Sequence, residues 1–213
     1  TDTTTKKQWS TSDAEELYAI KTWSAGFFGV NDKGHMSVYP IPGSDLEIDI
    51  TQVIDAALEQ GCTLPLILRF QDIISARVRR LNLTFQEAIE EAGYEGEYRT
   101  IYPIKVNQLH EVVAEVMEAG KPFNLGLECG SPAELMATLA LIGDETLLLC
   151  NGVKDHSMLT MMLNAQQLGQ QVIPVIEKYT EFDQLMVLAD KRGLDKDSAP
   201  RLGVRVKLST RGS

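Results

Sequence analysis

The chain has 213 residues, 44% hydrophobic and 23% charged, with a formal net charge of −10 at pH 7. This is the composition of a soluble globular protein, long enough for one large domain or one plus a small one. The acidic balance, without any basic stripe, argues against a nucleic-acid surface. No apolar run approaches the length of a membrane span, so neither nucleic acid nor membrane is expected as a partner. The opening residues 1–7, Thr-Asp-Thr-Thr-Thr-Lys-Lys, have no apolar core behind them. They read as a short disordered lead-in, not as a secretory signal or anchor.

Cys62, Cys129 and Cys150 are odd in number and lack C-x-x-C spacing, which points to a reducing, cytoplasmic compartment and no zinc site. His35, His110 and His156 are scattered and form no ligand pattern; they read as surface or supporting residues.

Taken in chain order, Ser12-Asp13-Ala14-Glu15 has the form of a capping box and opens a short helix to about Thr22. Two apolar runs, 26–30 and 35–40, flank Asn31-Asp32-Lys33-Gly34 and predict a β-hairpin. Residues 40–44, Pro-Ile-Pro-Gly-Ser, are a linker. Residues 1–49 are therefore expected to belong to a β-rich domain, and residues 50–213 to a different one.

From Ile50 the pattern alternates between helix and strand. Residues 50–60 predict a helix stopped by Gly61, and residues 64–70 form an apolar run of strand length. Ile74, Val78, Leu81, Phe85 and Ile89 share a helical face, which the box Thr84-Phe85-Gln86-Glu87 divides into two consecutive helices. Residues 97–102 read as a strand and 109–119 as a helix. Residues 123–127 are a strand, after which Ser131-Pro132-Ala133-Glu134 supplies an N-cap, a proline at the first helical position and a glutamate at the third. Residues 146–150 are a strand and 155–168 a helix, whose Met158, Met161, Met162 and Leu163 are core packing. A strand at 171–176 precedes a helix capped by Thr180 and ended by Gly193; the last strand is 201–207.

Strands that alternate with helices and read as continuous apolar runs predict a parallel sheet covered by crossover helices. No G-x-G-x-x-G or G-x-x-x-x-G-K-S/T follows any strand, which favours a (β/α)8 barrel over an open doubly wound sheet. Six strands do not close an eight-stranded ring of about 250 residues. The barrel is expected to be incomplete in this chain.

Within Tyr102-Pro103-Ile104-Lys105-Val106-Asn107-Gln108, Lys105 falls where a strand ends and a loop begins, the place where α/β folds bind ligands. Beside Ile104 and Val106 its amine would be desolvated and nucleophilic towards aldehydes. The alternative is a solvated lysine at a strand end.

That heptapeptide resembles the cofactor-lysine segment of the alanine-racemase-like, fold type III pyridoxal-phosphate decarboxylases, where an aromatic-x-x-Lys-x-Asn pattern ends the second barrel strand. Residues 127–135, Leu-Glu-Cys-Gly-Ser-Pro-Ala-Glu-Leu, resemble the family's stretch after the third strand. Residues 149–155, Leu-Cys-Asn-Gly-Val-Lys-Asp, resemble its fourth strand and loop. The whole chain, including residues 23–28, is similar to the amino-terminal third of the bacterial biosynthetic arginine decarboxylase branch. The resemblance implies that Lys105 carries pyridoxal 5'-phosphate covalently and assists product release. It implies further that Glu128 and Glu134 lie near the cofactor lysine and Arg205 near the cofactor ring. Glu134 is explained equally by its helix cap, and Arg205 by an ordinary strand ion pair.

The implied activity is decarboxylation of L-arginine to agmatine and CO2, the first step of a putrescine and spermidine route, in a cytoplasmic homo-oligomer that requires Mg2+ through unknown ligands. The phosphate cradle, the ring-nitrogen carboxylate and the groups donated across a dimer would lie beyond Ser213. Another fold type III enzyme, a diamino acid decarboxylase or racemase, and a non-catalytic barrel fragment remain as alternatives.

Overall fold

The computed structural model describes residues 8–41, 43–195 and 198–209. The expected lead-in at 1–7, Pro42 of the expected linker and the terminal residues 210–213 lie outside the described residues. The chain divides into two compact units, Thr1–Arg77 and Val78–Ser213.

In the first unit, α1 (Thr11–Leu17) starts two residues earlier than the expected box. Ser10 is the N-cap: its Oγ accepts the Asp13 N–H at 3.3 Å, while the Asp13 carboxylate accepts the Ser10 N–H at 2.9 Å. Glu15 is engaged elsewhere, accepting the Val30 N–H at 3.3 Å and facing Lys21 at 3.3 Å. After α2 (Ile20–Ser24), β1 (Phe28–Val30) and β2 (Met36–Val38) form the predicted hairpin, with Phe28 opposite Val38. Asn31 closes its turn by accepting the Lys33 and His35 N–H groups at 3.0 and 2.9 Å. A third strand, β3 (Ile48–Asp49), extends the sheet antiparallel to β2, and Asp49 then caps α3 (Ile50–Glu59) through the Thr51 N–H at 2.9 Å.

Two expectations fail here. Residues 64–70 form no strand among the described residues: the segment alternates between half-buried and exposed residues but has no ladder partner, and Ile67 is exposed. Extended apolar sequence without a paired neighbour does not make a sheet. Nor do two helices follow. One 22-residue helix, α4 (Gln71–Ala92), runs through Thr84, whose hydroxyl donates to the Arg80 carbonyl at 2.9 Å within the helix instead of capping a new one.

The second unit is a parallel sheet of five strands: β4 (Ile101–Pro103), β5 (Gly126–Cys129), β6 (Leu148–Cys150), β7 (Val172–Ile176) and β8 (Gly203–Val204). They are joined through α5 (His110–Gly120), α6 (Pro132–Leu139), α7 (His156–Gln167) and α8 (Tyr179–Lys191). Strand order follows chain order without reversal. A doubly wound sheet needs such a reversal, so the unit is an incomplete (β/α) barrel of the TIM type. The strand carrying Lys105 is thus the first of this sheet, not the second.

The helices bury one face of the sheet. Leu127, Cys129, Leu148 and Cys150 are fully covered, as are Leu135 of α6, Met158, Leu159, Met162 and Leu163 of α7 and Leu185 of α8. Met161 is half-buried, at the edge of this core. The helix starts follow local chemistry. Ser131 accepts the Glu134 N–H at 3.3 Å with Pro132 at the first helical position, and Asp155 accepts the Met158 N–H at 2.8 Å; each such cap contributes about 1 kcal/mol. Thr180 does not cap α8, whose N-cap is Lys178; the third helical residue, Glu181, instead accepts the Glu177 N–H at 2.9 Å.

Gly126 marks the tightest strand packing. A Cβ there would lie 2.4 Å from the Leu147 carbonyl oxygen and 2.7 Å from Ile101 Cδ1. Since backbone cannot retreat as a flexible side chain can, Gly126→Ala is expected to destabilise the protein by about 1–3 kcal/mol in thermal or urea denaturation. Unchanged stability would contradict this packing.

Candidate active site

All the sequence-predicted site residues meet at the C-terminal ends of the parallel strands. They line an open cavity of about 670 Å³, with Lys105, Glu128, Ser131, Glu134, Asn151 and Arg205 around it. That volume lies within the usual range for small-molecule sites.

Lys105 sits in a single 3-10 turn, Ile104–Val106, directly after β4. Ile104 is buried and anchors the turn. Tyr102 fastens its far end by donating its hydroxyl to the Asn107 carbonyl at 3.3 Å, and burial of that phenol pushes its pKa up. The expected desolvation of the amine is not found: the Lys105 side chain is 64% exposed. Val106 turns to solvent instead of walling the lysine in. The amine is therefore accessible from the cavity, with Nζ 3.9 Å from Glu128 Oε2.

Glu128 is the buried partner, only 6% exposed. Side chains alternate along a strand, so while Leu127 and Cys129 face the helices, Glu128 faces the cavity. Its Oε1 accepts the Asn151 Nδ2–H at 3.0 Å. Asn151 in turn follows β6 and donates its backbone N–H to the Cys129 carbonyl at 2.8 Å, continuing the parallel pairing that sets Cys129 beside Cys150. Asn151 lies in the stretch 149–155 singled out by the resemblance but had no place in the sequence-based site, because its role comes from the neighbouring strand.

Glu134 sits at the start of α6 and on the cavity wall. Its backbone N–H is capped by Ser131, its Oε2 accepts the Gly130 N–H at 2.7 Å and its Oε1 accepts from Gln108 Nε2 at 3.3 Å, while the residue also lines the cavity. Arg205 likewise makes an ordinary ion pair, Nη1 to Glu177 Oε1 at 3.2 Å, and lines the cavity from the end of β8. Its backbone N–H donates to the Ile176 carbonyl at 2.9 Å, which carries the β7–β8 pairing past Val204.

The loops after β5 and β6 touch at Gly152. Its φ is +73°, and a Cβ would lie 2.4 Å from the Gly130 carbonyl oxygen. Only glycine satisfies both the left-handed backbone and that approach. The Gly152 N–H donates to Glu177 Oε1 at 2.8 Å, so the carboxylate that holds Arg205 is tied to the same loop.

Behind this loop lies an ion pair that the sequence did not announce. The Lys154 side chain is fully buried and Glu181 nearly so, with Nζ 3.5 Å from Oε2. Lys154 Nζ also donates to the Gly152 carbonyl, and Glu181 Oε1 accepts the Lys154 backbone N–H at 2.9 Å. The signal was hidden because the partners are 27 positions apart and Lys178, with no capping hydroxyl, precedes Glu181. Cys129 and Cys150 form a second buried pair, Sγ to Sγ 3.5 Å. The neighbouring thiol and burial push the Cys150 pKa up, which keeps it an inert neutral thiol. Among the described residues no group of three or more His, Cys, Asp or Glu is gathered to hold a metal ion.

Residues 75–212 match the family model described as pyridoxal-dependent decarboxylase, pyridoxal binding domain. The chain belongs to this family of pyridoxal-dependent decarboxylases. It is 42% identical over 207 residues to the biosynthetic arginine decarboxylase of Gloeobacter violaceus, covering 97% of this chain and 32% of that protein. It is also 42% identical over 206 residues to that of Deinococcus radiodurans, covering 96% and 30%. The crystal structure of the Campylobacter jejuni biosynthetic arginine decarboxylase superposes with a TM-score of 0.80 at 28% identity, over 90% of this chain and 31% of that one. The chain thus spans about a third of the length of these relatives. Its donor set suits the pyridoxal group named in the family's description: a reachable primary amine, a carboxylate beside it and a guanidinium, around a cavity that no core side chain fills.

The buried pair has a pH consequence. Burial pushes the Glu181 carboxyl up, but the Glu177 and Lys154 N–H groups and the Lys154 ammonium outweigh it and hold the pKa below the ordinary 4.5. A depressed folded-state pKa contributes stability that is full above the unfolded value and is lost as pH falls through the folded one. Urea denaturation is therefore expected to show wild-type stability declining below about pH 4.5, with Glu181→Gln less stable at pH 7 and its acid decline shallower. Parallel acid limbs for the two proteins would contradict this assignment.

Proposed function

We propose that this chain is the cofactor-lysine part of a pyridoxal-phosphate-dependent decarboxylase that converts L-arginine to agmatine and CO2. The observation that carries the reading is the accessible Lys105 amine at the mouth of a parallel sheet, 3.9 Å from a carboxylate buried on the adjacent strand. Arginine as the substrate rests on the relatives being named biosynthetic arginine decarboxylases.

Lys105 would hold the cofactor through its Nζ, and Glu128 and Arg205 would flank it. When bound, pyridoxal phosphate supplies an electron sink for the pair left behind as the substrate carboxylate departs. Glu128 faces Nζ with its carboxylate at 3.9 Å, close enough for electrostatic attraction but too far for a direct hydrogen bond. Asn151, through its bond to Oε1, leaves Oε2 directed at the lysine. Arg205, restrained by Glu177, presents its remaining guanidinium N–H groups to the cavity. The exposure of Lys105 would leave its amine, when free, able to donate a proton to the product.

Around this site we place the other expectations: a homo-oligomer of full-length chains in the cytoplasm, supplying the first step of a putrescine and spermidine route. Residues 1–49 would belong to a β-rich domain and 50–213 to the first part of the barrel. Among the described residues no helix is long and apolar enough to cross a membrane. The magnesium implied by the resemblance has no ligand set among them.

The test is the full-length protein assayed for CO2 release from L-arginine, with L-ornithine and L-lysine as competitors. Lys105→Ala is expected to lower kcat on the order of a thousandfold or more and to abolish the visible absorbance of bound cofactor. Retention of both would refute the role given to Lys105, and preference for another amino acid would refute the substrate.

A further inference from the structure

We propose that the buried Lys154–Glu181 pair is a positioning device that sets Arg205 towards the cofactor, acting through Glu177. This deepens the proposed function and rests on the cavity being the cofactor pocket.

The connections run without a gap. Glu181 uses both carboxylate oxygens on backbone: Oε1 takes the Lys154 N–H and Oε2 the Glu177 N–H, each at 2.9 Å. It thereby clamps the loop after β6 to the end of β7. The Lys154 ammonium closes the clamp, lying 3.5 Å from Glu181 Oε2 and donating to the Gly152 carbonyl. Glu177, fixed by its N–H, then takes two donors on a single oxygen: the Gly152 N–H at 2.8 Å and Arg205 Nη1 at 3.2 Å. The Arg205 side chain is 66% exposed, and among the described residues its guanidinium hydrogen-bonds to Glu177 alone. Its direction is therefore inherited from Glu177, and that of Glu177 from the clamp.

Burial gives this arrangement its purpose. A lysine and a glutamate taken wholly out of water cost more than an apolar pair of the same volume would. Neither side chain lines the cavity, so neither can touch what binds there. What the pair achieves that an apolar pair would not is directional: three backbone groups of two active-site loops are held by charge-assisted hydrogen bonds. Such support is what keeps a flexible guanidinium in one place before its ligand arrives.

The experiment is a double-mutant cycle on the full-length apoenzyme, titrated with pyridoxal phosphate and read as the dissociation constant from bound-cofactor absorbance. Glu181→Gln is expected to raise that constant about tenfold when Arg205 is present, and less than about twofold when Arg205 is Met, because the two residues act in series. Glu177→Gln is expected to behave like Glu181→Gln in both backgrounds. Equal factors in the two backgrounds, or no change in either, would overturn the proposal while leaving the cofactor pocket standing. If Glu181→Gln lacks a native near-ultraviolet circular dichroism spectrum, Glu181→Asp, which keeps the charge and shortens the reach, enters the same cycle with the same criteria. Wild-type apoenzyme that binds no cofactor would overturn both the pocket and the clamp.

Discussion

A carboxylate buried on a strand is the constraint around which the second unit is arranged. Glu128 sits in the middle of β5, between Leu127 and Cys129, where a charged group is tolerated only if partnered. Its partners come from both sides: Asn151 from the end of β6 and Lys105 from the turn after β4. Parallel pairing brings them within reach. With Pro103 beside Glu128 and Cys129 beside Cys150, the residues just past β4 and β6 stand on either flank of the acid. Shifting either pairing by one residue would turn the acid into the helix-covered core and leave its charge unpaired.

The same logic repeats one strand further on. Glu177, at the end of β7, faces Arg205 at the end of β8 and the Gly152 N–H from the loop after β6. The ends of β4, β5, β7 and β8 thus contribute charged groups, and the end of β6 contributes the Asn151 amide and the Gly152 N–H that bond to its neighbours' carboxylates. The glycine contact at 130 and 152 lets the two loops approach closely enough for this exchange. Behind them the Lys154–Glu181 pair is sealed from water. Removing one member of such a pair costs about 3–5 kcal/mol through the uncompensated charge left behind, which makes the loops after β6 and β7 a rigid part of the structure.

Much of this was legible in the sequence, for reasons that particular residues show. The β4-to-β8 alternation was readable because the strands of a parallel sheet, enclosed on both faces, read as mostly apolar runs, and because Ser131-Pro132 and Asp155 mark helix starts by local chemistry. Lys105 was readable from its place at a strand end. What failed depended on distant neighbours. Residues 64–70 have strand composition but no partner to pair with. Ser12 and Thr180 have capping hydroxyls, but Ser10 caps α1 while Glu15 bonds to the Val30 N–H, and at the start of α8 it is Glu181 that accepts the Glu177 N–H. The exposure of Lys105 was missed since Ile104 and Val106 are alike in sequence but point oppositely in the turn. Asn151 and Lys154 act on groups more than 20 positions away, beyond any local pattern.

The account stands on a single amine being the covalent attachment point of the cofactor. Borohydride reduction of the full-length holoenzyme, followed by proteolysis and mass spectrometry, tests this directly. The account predicts one pyridoxyl-modified peptide, with the adduct on Lys105. An adduct on Lys154 or any other lysine, or no adduct from protein that decarboxylates arginine, would contradict it.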